Sequence, residues 1–229
     1  MKQAIFYGIG VGPGDPELLT LQAARVLAAC PVVAAPQTAG GKSVALDIAK
    51  AAVDLDGKTV LPLRFWMTDD PARLEESHRA AAEQVLVHLR RGEDVAMLTL
   101  GDVSIYATYP YLTGLVQAEG FAVRMLPGVP SFCAAAAALQ TSLTEKDQPL
   151  HVIPAGYGSL EARLRTPGTH VLMKSGRRLA EVKQTLRELG LYEKASLVAN
   201  CGLPDERVCQ SLDDAEDDAG YFTTIIVKG

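Results

Sequence analysis

The sequence predicts an α/β protein of two domains, with a mainly parallel sheet in the first and a mixed sheet in the second. Short apolar runs such as Ala4–Ile9, Val95–Leu100 and Ala122–Leu126 alternate with longer stretches of helical periodicity, the pattern of βα units around a parallel sheet. After Thr144–Glu145–Lys146–Asp147 the pattern restarts with more strand and less helix, and it ends in the β-branched run Tyr221–Val227. At 229 residues the chain can hold two domains of ordinary size, expected at 1–142 and 143–229.

The first strand runs into Gly8-Ile9-Gly10-Val11-Gly12-Pro13-Gly14-Asp15-Pro16. A dinucleotide fingerprint needs a glycine where Pro13 stands and a carboxylate after the second strand, where Val32–Ala35 meets Pro36 instead. The glycine loop of Rossmann-like methyltransferases needs an acid two places before its first glycine, and Phe6 stands there. What remains is a loop stiffened by Pro13 and Pro16, a rigid platform suited to a ligand without phosphates. Thr20 can cap a helix carrying Leu21, Ala24, Val26 and Leu27, and Ser43 can start another that ends near Val53. Val60–Leu63 is a short strand, followed by a polar-aromatic loop, Arg64–Asp70. Its lone Trp66 reads either as a lid on a flat ligand or as loop packing. From Pro71 a helix is expected to Arg91, with Leu74, His78, Ala81, Ala82, Val85 and Leu89 on one face; His78 in that stripe reads as a packed histidine.

The buried strand Val95–Leu100 stops at Gly101–Asp102, and a helix is expected from Tyr106 to about Glu119. Ala122–Leu126 leads to Pro127-Gly128-Val129-Pro130-Ser131, with Ser131 placed to cap a helix reaching Leu139. Three strand ends thus carry Gly/Pro turns along one edge of a parallel sheet, the edge where small ligands bind. Asp102 has two readings, a cap of its own turn or an acceptor for a ligand. In the second half, His151–Pro154, Thr169–Met173, Ala195–Ala199, Arg207–Gln210 and Tyr221–Val227 read as strands. Gly156–Tyr157–Gly158 reads as a loop, and Leu179, Val182, Leu186 and Leu189 mark a helix.

A net charge of −5 argues against a general nucleic-acid binder, and no apolar run approaches the length of a membrane span. The start of the chain leads straight into a strand without a signal-peptide pattern, so the expected location is the cytoplasm. Cys30, Cys133, Cys201 and Cys209 stand far apart and read as buried free thiols. Without HExxH or a close cysteine cluster, no protein-bound metal is expected. The acidic stretch Asp213–Asp218 reads as a solvated loop.

Taken together, Val11-Gly12-Pro13-Gly14-Asp15-Pro16-Glu17-Leu18-Leu19-Thr20-Leu21, Thr99-Leu100-Gly101-Asp102, Pro127-Gly128-Val129, Met173-Lys174 and Val198-Ala199-Asn200 resemble the signatures of the tetrapyrrole methylases over nearly the whole chain. The resemblance implies that family's two-domain fold, with S-adenosylmethionine folded in the cleft between domains, and a homodimer. The stretch Thr99–Tyr109 is most similar to members that methylate carbon 20 of precorrin-2 or its cobalt counterpart. Val103 departs from a common proline, Pro130 from a small hydroxyl residue and Ala199 from a glutamate seen in several relatives. Carried over position by position, the cofactor contacts are Pro13, Leu100, Gly101, Asp102, Val103, Ile105, Pro130, Ser131, Met173, Ala199, Asn200 and Thr224. The same resemblance implies a carboxylate-rich macrocycle as substrate. Lys42, Arg64, Lys174, Arg177 and Arg178 are candidate cations for it, and Trp66 and Tyr106 are candidate covers. No base or nucleophile is assigned; the electron-rich ring itself is the expected nucleophile. Asp102→Ala is expected to remove cofactor binding with folding near normal. The alternatives are another methylase of the fold, acting on uroporphyrinogen III or another precorrin or as a diphthine synthase, and a non-catalytic tetrapyrrole-binding or nucleotide-binding protein.

Overall fold

The computed structural model describes residues 3–38, 40–66, 68–155 and 158–229. Met67, Gly156, Tyr157 and the side chain of Arg177 lie outside the described residues, and so do the expectations attached to them. Two compact units result, Met1–Pro130 and Ser131–Gly229.

In the first unit, β1 (Ile5–Gly10), β2 (Val32–Gln37), β3 (Thr59–Arg64), β4 (Val95–Thr99) and β5 (Ala122–Leu126) form a wholly parallel sheet in the order β3-β2-β4-β1-β5. Alternation of side chains sorts the core into two layers. Ile5, Tyr7, Ile9, Val33, Ala96 and Leu98 meet α1 (Leu21–Ala29) and α2 (Val44–Ala52). Phe6, Val32, Ala34, Val95 and Met97 meet α3 (Pro71–Leu89) and α4 (Tyr109–Ala118). Because both faces of β1 and β4 are covered, their residues are buried without interruption, as the apolar runs require. Thr20 and Ser43 cap α1 and α2, their hydroxyls accepting from the amides of Ala23 and Leu46. β2 continues through Pro36, beyond the expected end at Ala35. It pairs with β4 only over Val32–Ala34, so the missing proline N–H interrupts no bond on that side. In α3 the buried face is Ser77, Ala81, Ala82, Val85, Leu86 and Leu89, while Leu74 and His78 sit at its margin.

The helix after β4 begins at Tyr109, not at Tyr106. Asp102 accepts from the amide and hydroxyl of Ser104, and the Ile105 amide donates to the Asp102 carbonyl at 3.3 Å, which closes a tight turn. Tyr106 then takes φ +48°, outside the helical region, and Pro110 falls in the first turn, where its missing N–H is harmless. The Tyr109 hydroxyl bolts the start of α4 to the sheet, its one proton shared between the carbonyls of Phe6 (2.9 Å) and Arg124 (3.1 Å). Its ring lies on Gly8, where a Cβ would fall 2.6 Å from the ring.

The second unit opens with α5 (Ser131–Ala138), ahead of the boundary expected at 142/143, because α5 packs on strands of the second sheet. Ser131 is the first helical residue, not the residue before it. The strands are β6 (Leu150–Pro154), β7 (Thr169–Met173), β8 (Ala195–Ala199), β9 (Arg207–Cys209) and β10 (Thr223–Val227). They lie in the order β6-β7-β10-β8-β9, with β6 parallel to β7 and the other pairs antiparallel. The second sheet is therefore mixed. Ile153, Leu172, Ile225 and Leu197 line one face beneath α6 (Leu160–Leu164) and α7 (Leu179–Glu188), and α5 touches β8 and β10. Cys30, Cys201 and Cys209 are buried free thiols, whereas Cys133 on α5 is exposed. No helix among the described residues is long and apolar enough to cross a membrane.

Candidate functional site

In the first unit the ends of β1, β4 and β5 are joined through their main chains. Past the strand ends the Val11 amide donates to the Thr99 carbonyl at 2.9 Å. Gly12 and Gly101 then exchange both of their bonds, at 3.2 and 2.8 Å. Gly101 sits at φ +74°, a conformation that glycine adopts without penalty. Gly10 and Gly128 close the junction from either side. A Cβ on Gly10 would fall 2.6 Å from the Gly128 nitrogen, and one on Gly128 would land on the Gly101 carbonyl oxygen.

Asp102 ties this junction together. One carboxylate oxygen accepts from the Ser104 amide at 2.8 Å and from its hydroxyl; the other accepts from the Gly128 amide at 2.8 Å. The side chain is buried, and desolvation pushes its pKa upward. The hydrogen bonds from Ser104, Gly128 and Val103 outweigh that and hold the carboxyl below its usual 3.8. Asp102 is therefore an ionised acceptor at neutral pH, already engaged by its own protein.

The loop after β1 offers little to a phosphate. The amides of Val11, Gly12, Glu17, Leu18 and Leu19 are all spent inside the protein, and Pro13 and Pro16 have none. A phosphate nest needs several free amides pointing at one place. Around this junction Pro13 and Val103 are buried, and Leu100 and Ile105 are partly exposed. Pro130 is partly exposed at the end of this unit. The carboxyl edge of the same sheet carries Arg64 at the end of β3, then Trp66, and Tyr106 after β4. All are exposed. The Trp66 amide donates to Ser77 Oγ on α3 at 3.1 Å, so this loop is pinned to the helix. Lys42 is exposed in the loop before α2.

In the second unit, Met173 and Ala199 end β7 and β8 on either side of the start of β10. Thr224 is paired with Met173 and Val198, and Thr223 with Ala199. The chain turns sharply after both strands: Lys174 takes φ +58° and Asn200 φ +53°. Left-handed non-glycine residues cost energy and gather at functional turns. Asn200 is held by its amide to the Phe222 carbonyl (2.9 Å) and by Nδ2 to Asp205 (2.7 Å). Ser175, fully buried beside Lys174, has a hydroxyl with no hydrogen-bond partner among the described residues. A Cβ on the next residue, Gly176, would fall on the Gly220 carbonyl. Met173, Ala199, Asn200 and Thr224 thus share one edge of the second sheet, while Ser131 begins α5. Arg178 points its guanidinium at Glu181 instead, with Nε 2.8 Å from Oε2.

The sequence reading missed the mutual packing of Gly10 and Gly128 and the role of Tyr109 as a bolt. The glycines were visible; that each occupies the space of the other's Cβ was not. Among the described residues no group of three or more His, Cys, Asp or Glu side chains is placed to hold a metal ion.

The family model for tetrapyrrole (corrin/porphyrin) methylases matches residues 6–215. The chain is 34% identical over 232 residues to the cobalamin biosynthesis protein CobIJ of Mycobacterium tuberculosis, covering 97% of this chain and 46% of that protein, so it spans about half the length of that relative. It is 32% identical to the cobalt-precorrin-2 C(20)-methyltransferase of Salmonella typhimurium, with 97% and 95% covered. To the precorrin-2 C(20)-methyltransferase of a Sinorhizobium species it is 31% identical, with 97% and 94% covered. Among solved structures, the cobalt precorrin-4 methyltransferase CbiF superposes with a TM-score of 0.77 at 24% identity, covering 98% of this chain and 94% of that one. The uroporphyrin-III C-methyl transferase of Thermus thermophilus complexed with S-adenosyl homocysteine does so at 0.73 and 24%, covering 98% and 97%; both likenesses are of fold. By its sequence, its two sheets and the signatures at their strand ends, the chain belongs to the tetrapyrrole (corrin/porphyrin) methylases.

Proposed function

We propose that the chain transfers a methyl group from S-adenosylmethionine to carbon 20 of a precorrin-2-type macrocycle, metal-free or cobalt-bound, in cobalamin biosynthesis. The observation that carries this reading is the first unit's strand edge, built from main chain, where the amides of Val11, Gly12, Glu17, Leu18 and Leu19 are taken by the protein itself and Pro13 and Pro16 offer none. A phosphate-free sulfonium nucleoside suits such an edge. The choice of carbon 20 is supported by relatives of nearly the same length that are named for that position.

The first unit's cofactor contacts are assigned to Pro13, Leu100, Gly101, Asp102, Val103, Ile105 and Pro130, and the second unit's to Ser131, Met173, Ala199, Asn200 and Thr224. When bound, S-adenosylmethionine would supply an electrophilic methyl carbon on a positively charged sulfur, with the neutral thioether S-adenosyl homocysteine as the leaving group. The chain's part is alignment. Asp102 is a positioning residue: by holding Ser104 and Gly128 it fixes the turns after β4 and β5 in one geometry. Preorganisation of two reactants can lower a barrier by up to about 7–11 kcal/mol, which is ample where the carbon nucleophile is already electron-rich. Arg64 and Lys174 are assigned to substrate carboxylates. The enzyme is expected to act in the cytoplasm as a homodimer, which sedimentation velocity and fractionation check.

The test is an anaerobic incubation with methyl-labelled S-adenosylmethionine, offering metal-free precorrin-2 and its cobalt complex separately. Label at carbon 20 of either supports the reading, and the preferred form defines the substrate. Label at another ring position moves the chain to a different methylase of the family. If the cofactor binds and neither macrocycle is methylated, the proposed reaction is wrong.

A further inference from the structure

Among the described residues of the first unit, the exposed large aromatic side chains are Trp66, Tyr106 and Tyr111, and Tyr111 joins a row of three rings. Phe65 follows β3, His78 lies on α3 and Tyr111 on the first turn of α4, and the two helices pack against each other. The three rings form a ladder. Phe65 and His78 are 6.1 Å apart between centroids; His78 and Tyr111 are 4.7 Å apart and only 4° from parallel. His78 covers one side of Tyr111, yet Tyr111 remains 63% exposed, with Trp66 (48%) and Tyr106 (46%) also open. All belong to segments at the carboxyl ends of β3 and β4, the ligand-binding edge of a parallel sheet. The loop with Phe65 and Trp66 is pinned through the Trp66 amide to Ser77, the neighbour of His78.

We propose that Tyr111, backed by His78 and Phe65, is the stacking platform for one face of the tetrapyrrole macrocycle, with Trp66 and Tyr106 flanking it. The proposal rests on the function assigned above and adds residues that set substrate affinity. The occupant follows from chemistry. A flat conjugated ring with a rim of carboxylates needs an aromatic surface for its face and cations for its rim; this edge offers the rings together with Arg64. A parallel, helix-mounted pair of rings is already oriented, so little freedom is lost on stacking. Burial lowers the His78 pKa, which keeps the imidazole neutral at physiological pH and makes it a flat backing instead of a competing charge.

Trp66 is the one tryptophan of the chain, so its emission reports on this surface. Cobalt-factor II is titrated into the full chain while Trp66 emission is followed, and S-adenosyl homocysteine binding is measured in parallel. Quenching is expected in the wild type. Tyr111→Ala should bind the probe about three- to tenfold more weakly, the range of one aromatic contact, and Tyr111→Phe should match the wild type. S-adenosyl homocysteine binding should be unchanged in both variants. Equal probe affinity in Tyr111→Ala and wild type overturns the platform. So does a Tyr111→Ala variant that alters only self-association, which would make the surface a contact for a second copy. If the wild type binds S-adenosyl homocysteine but no tetrapyrrole, the proposed function itself falls.

Discussion

Removing the Asp102 carboxylate should cost stability as well as ligand binding. In Asp102→Ala the amides of Ser104 and Gly128, both at 2.8 Å from the carboxylate, lose their acceptor together with the Ser104 hydroxyl. A hydrogen bond to a charged group contributes roughly 1.5–3 kcal/mol; Asp102 is buried, but its partners Ser104 and Gly128 keep access to water, so a loss of about 3 kcal/mol is expected. That is a large share of the roughly 5–15 kcal/mol that holds a domain together. Urea unfolding should show a lower midpoint at unchanged slope. Asp102→Asn keeps one acceptor oxygen but turns an NH2 group toward one of its former donors, so it should lose about 2 kcal/mol. The effect also carries a pH signature. The folded carboxyl is held below its ordinary 3.8. The unfolded chain therefore takes up the proton first as the medium is acidified. The carboxylate's contribution is complete above the unfolded value and is lost as pH falls through the folded one. The gap between wild type and Asp102→Asn should be constant near neutrality and shrink below about pH 4. An Asp102→Ala variant within about 0.5 kcal/mol of wild type at pH 7 would refute the reasoning, because surface substitutions lie in that range.

Other substitutions probe the same architecture. Gly10→Ala puts a Cβ 2.6 Å from the Gly128 nitrogen, and should destabilise by about 1–3 kcal/mol and weaken cofactor binding, read by urea unfolding and calorimetry. Gly114→Ala, in the exposed interior of α4 with open space around it, should stabilise by about 0.5–1 kcal/mol in the same unfolding assay. Tyr109→Phe removes the hydroxyl that donates to Phe6 and Arg124 and should cost about 1–2 kcal/mol. A disulfide reagent should label Cys133 in the native protein, faster as pH rises because burial lifts its pKa. The buried Cys30, Cys201 and Cys209 should react only on unfolding, and Cys201, pushed up to about 12 by burial and by Glu206, should be the slowest.

Much of this fold is legible in the chain because parallel strands buried on both faces read as unbroken apolar runs. Val95–Thr99 is such a run, and the caps at Thr20 and Ser43 are single residues with one strong local preference. The late start of α4 had one signal in the chain, Pro110, which lacks the N–H that a helix begun at Tyr106 would need there and which fits the first turn of one begun at Tyr109. The bonds from Ser104 to Asp102 and the left-handed Tyr106, which set the turn before it, follow only from the folded chain. Cys133 escaped because the alanine-rich α5 has no strong polar face from which the exposed side could be read.

The sequence by itself determined two α/β units, a mainly parallel sheet in the first half and the strand ends where glycine and proline gather. Those follow from periodicity and from residues with one dominant backbone preference, which are local properties. The tertiary structure decided what the strand ends do. Gly10 and Gly128, separated in sequence, exclude each other's Cβ, and the Asp102 carboxylate is taken by amides of two loops. Phe65, His78 and Tyr111 become one ladder of rings. Each of these is a coincidence in space between residues distant along the chain, which local pattern does not encode.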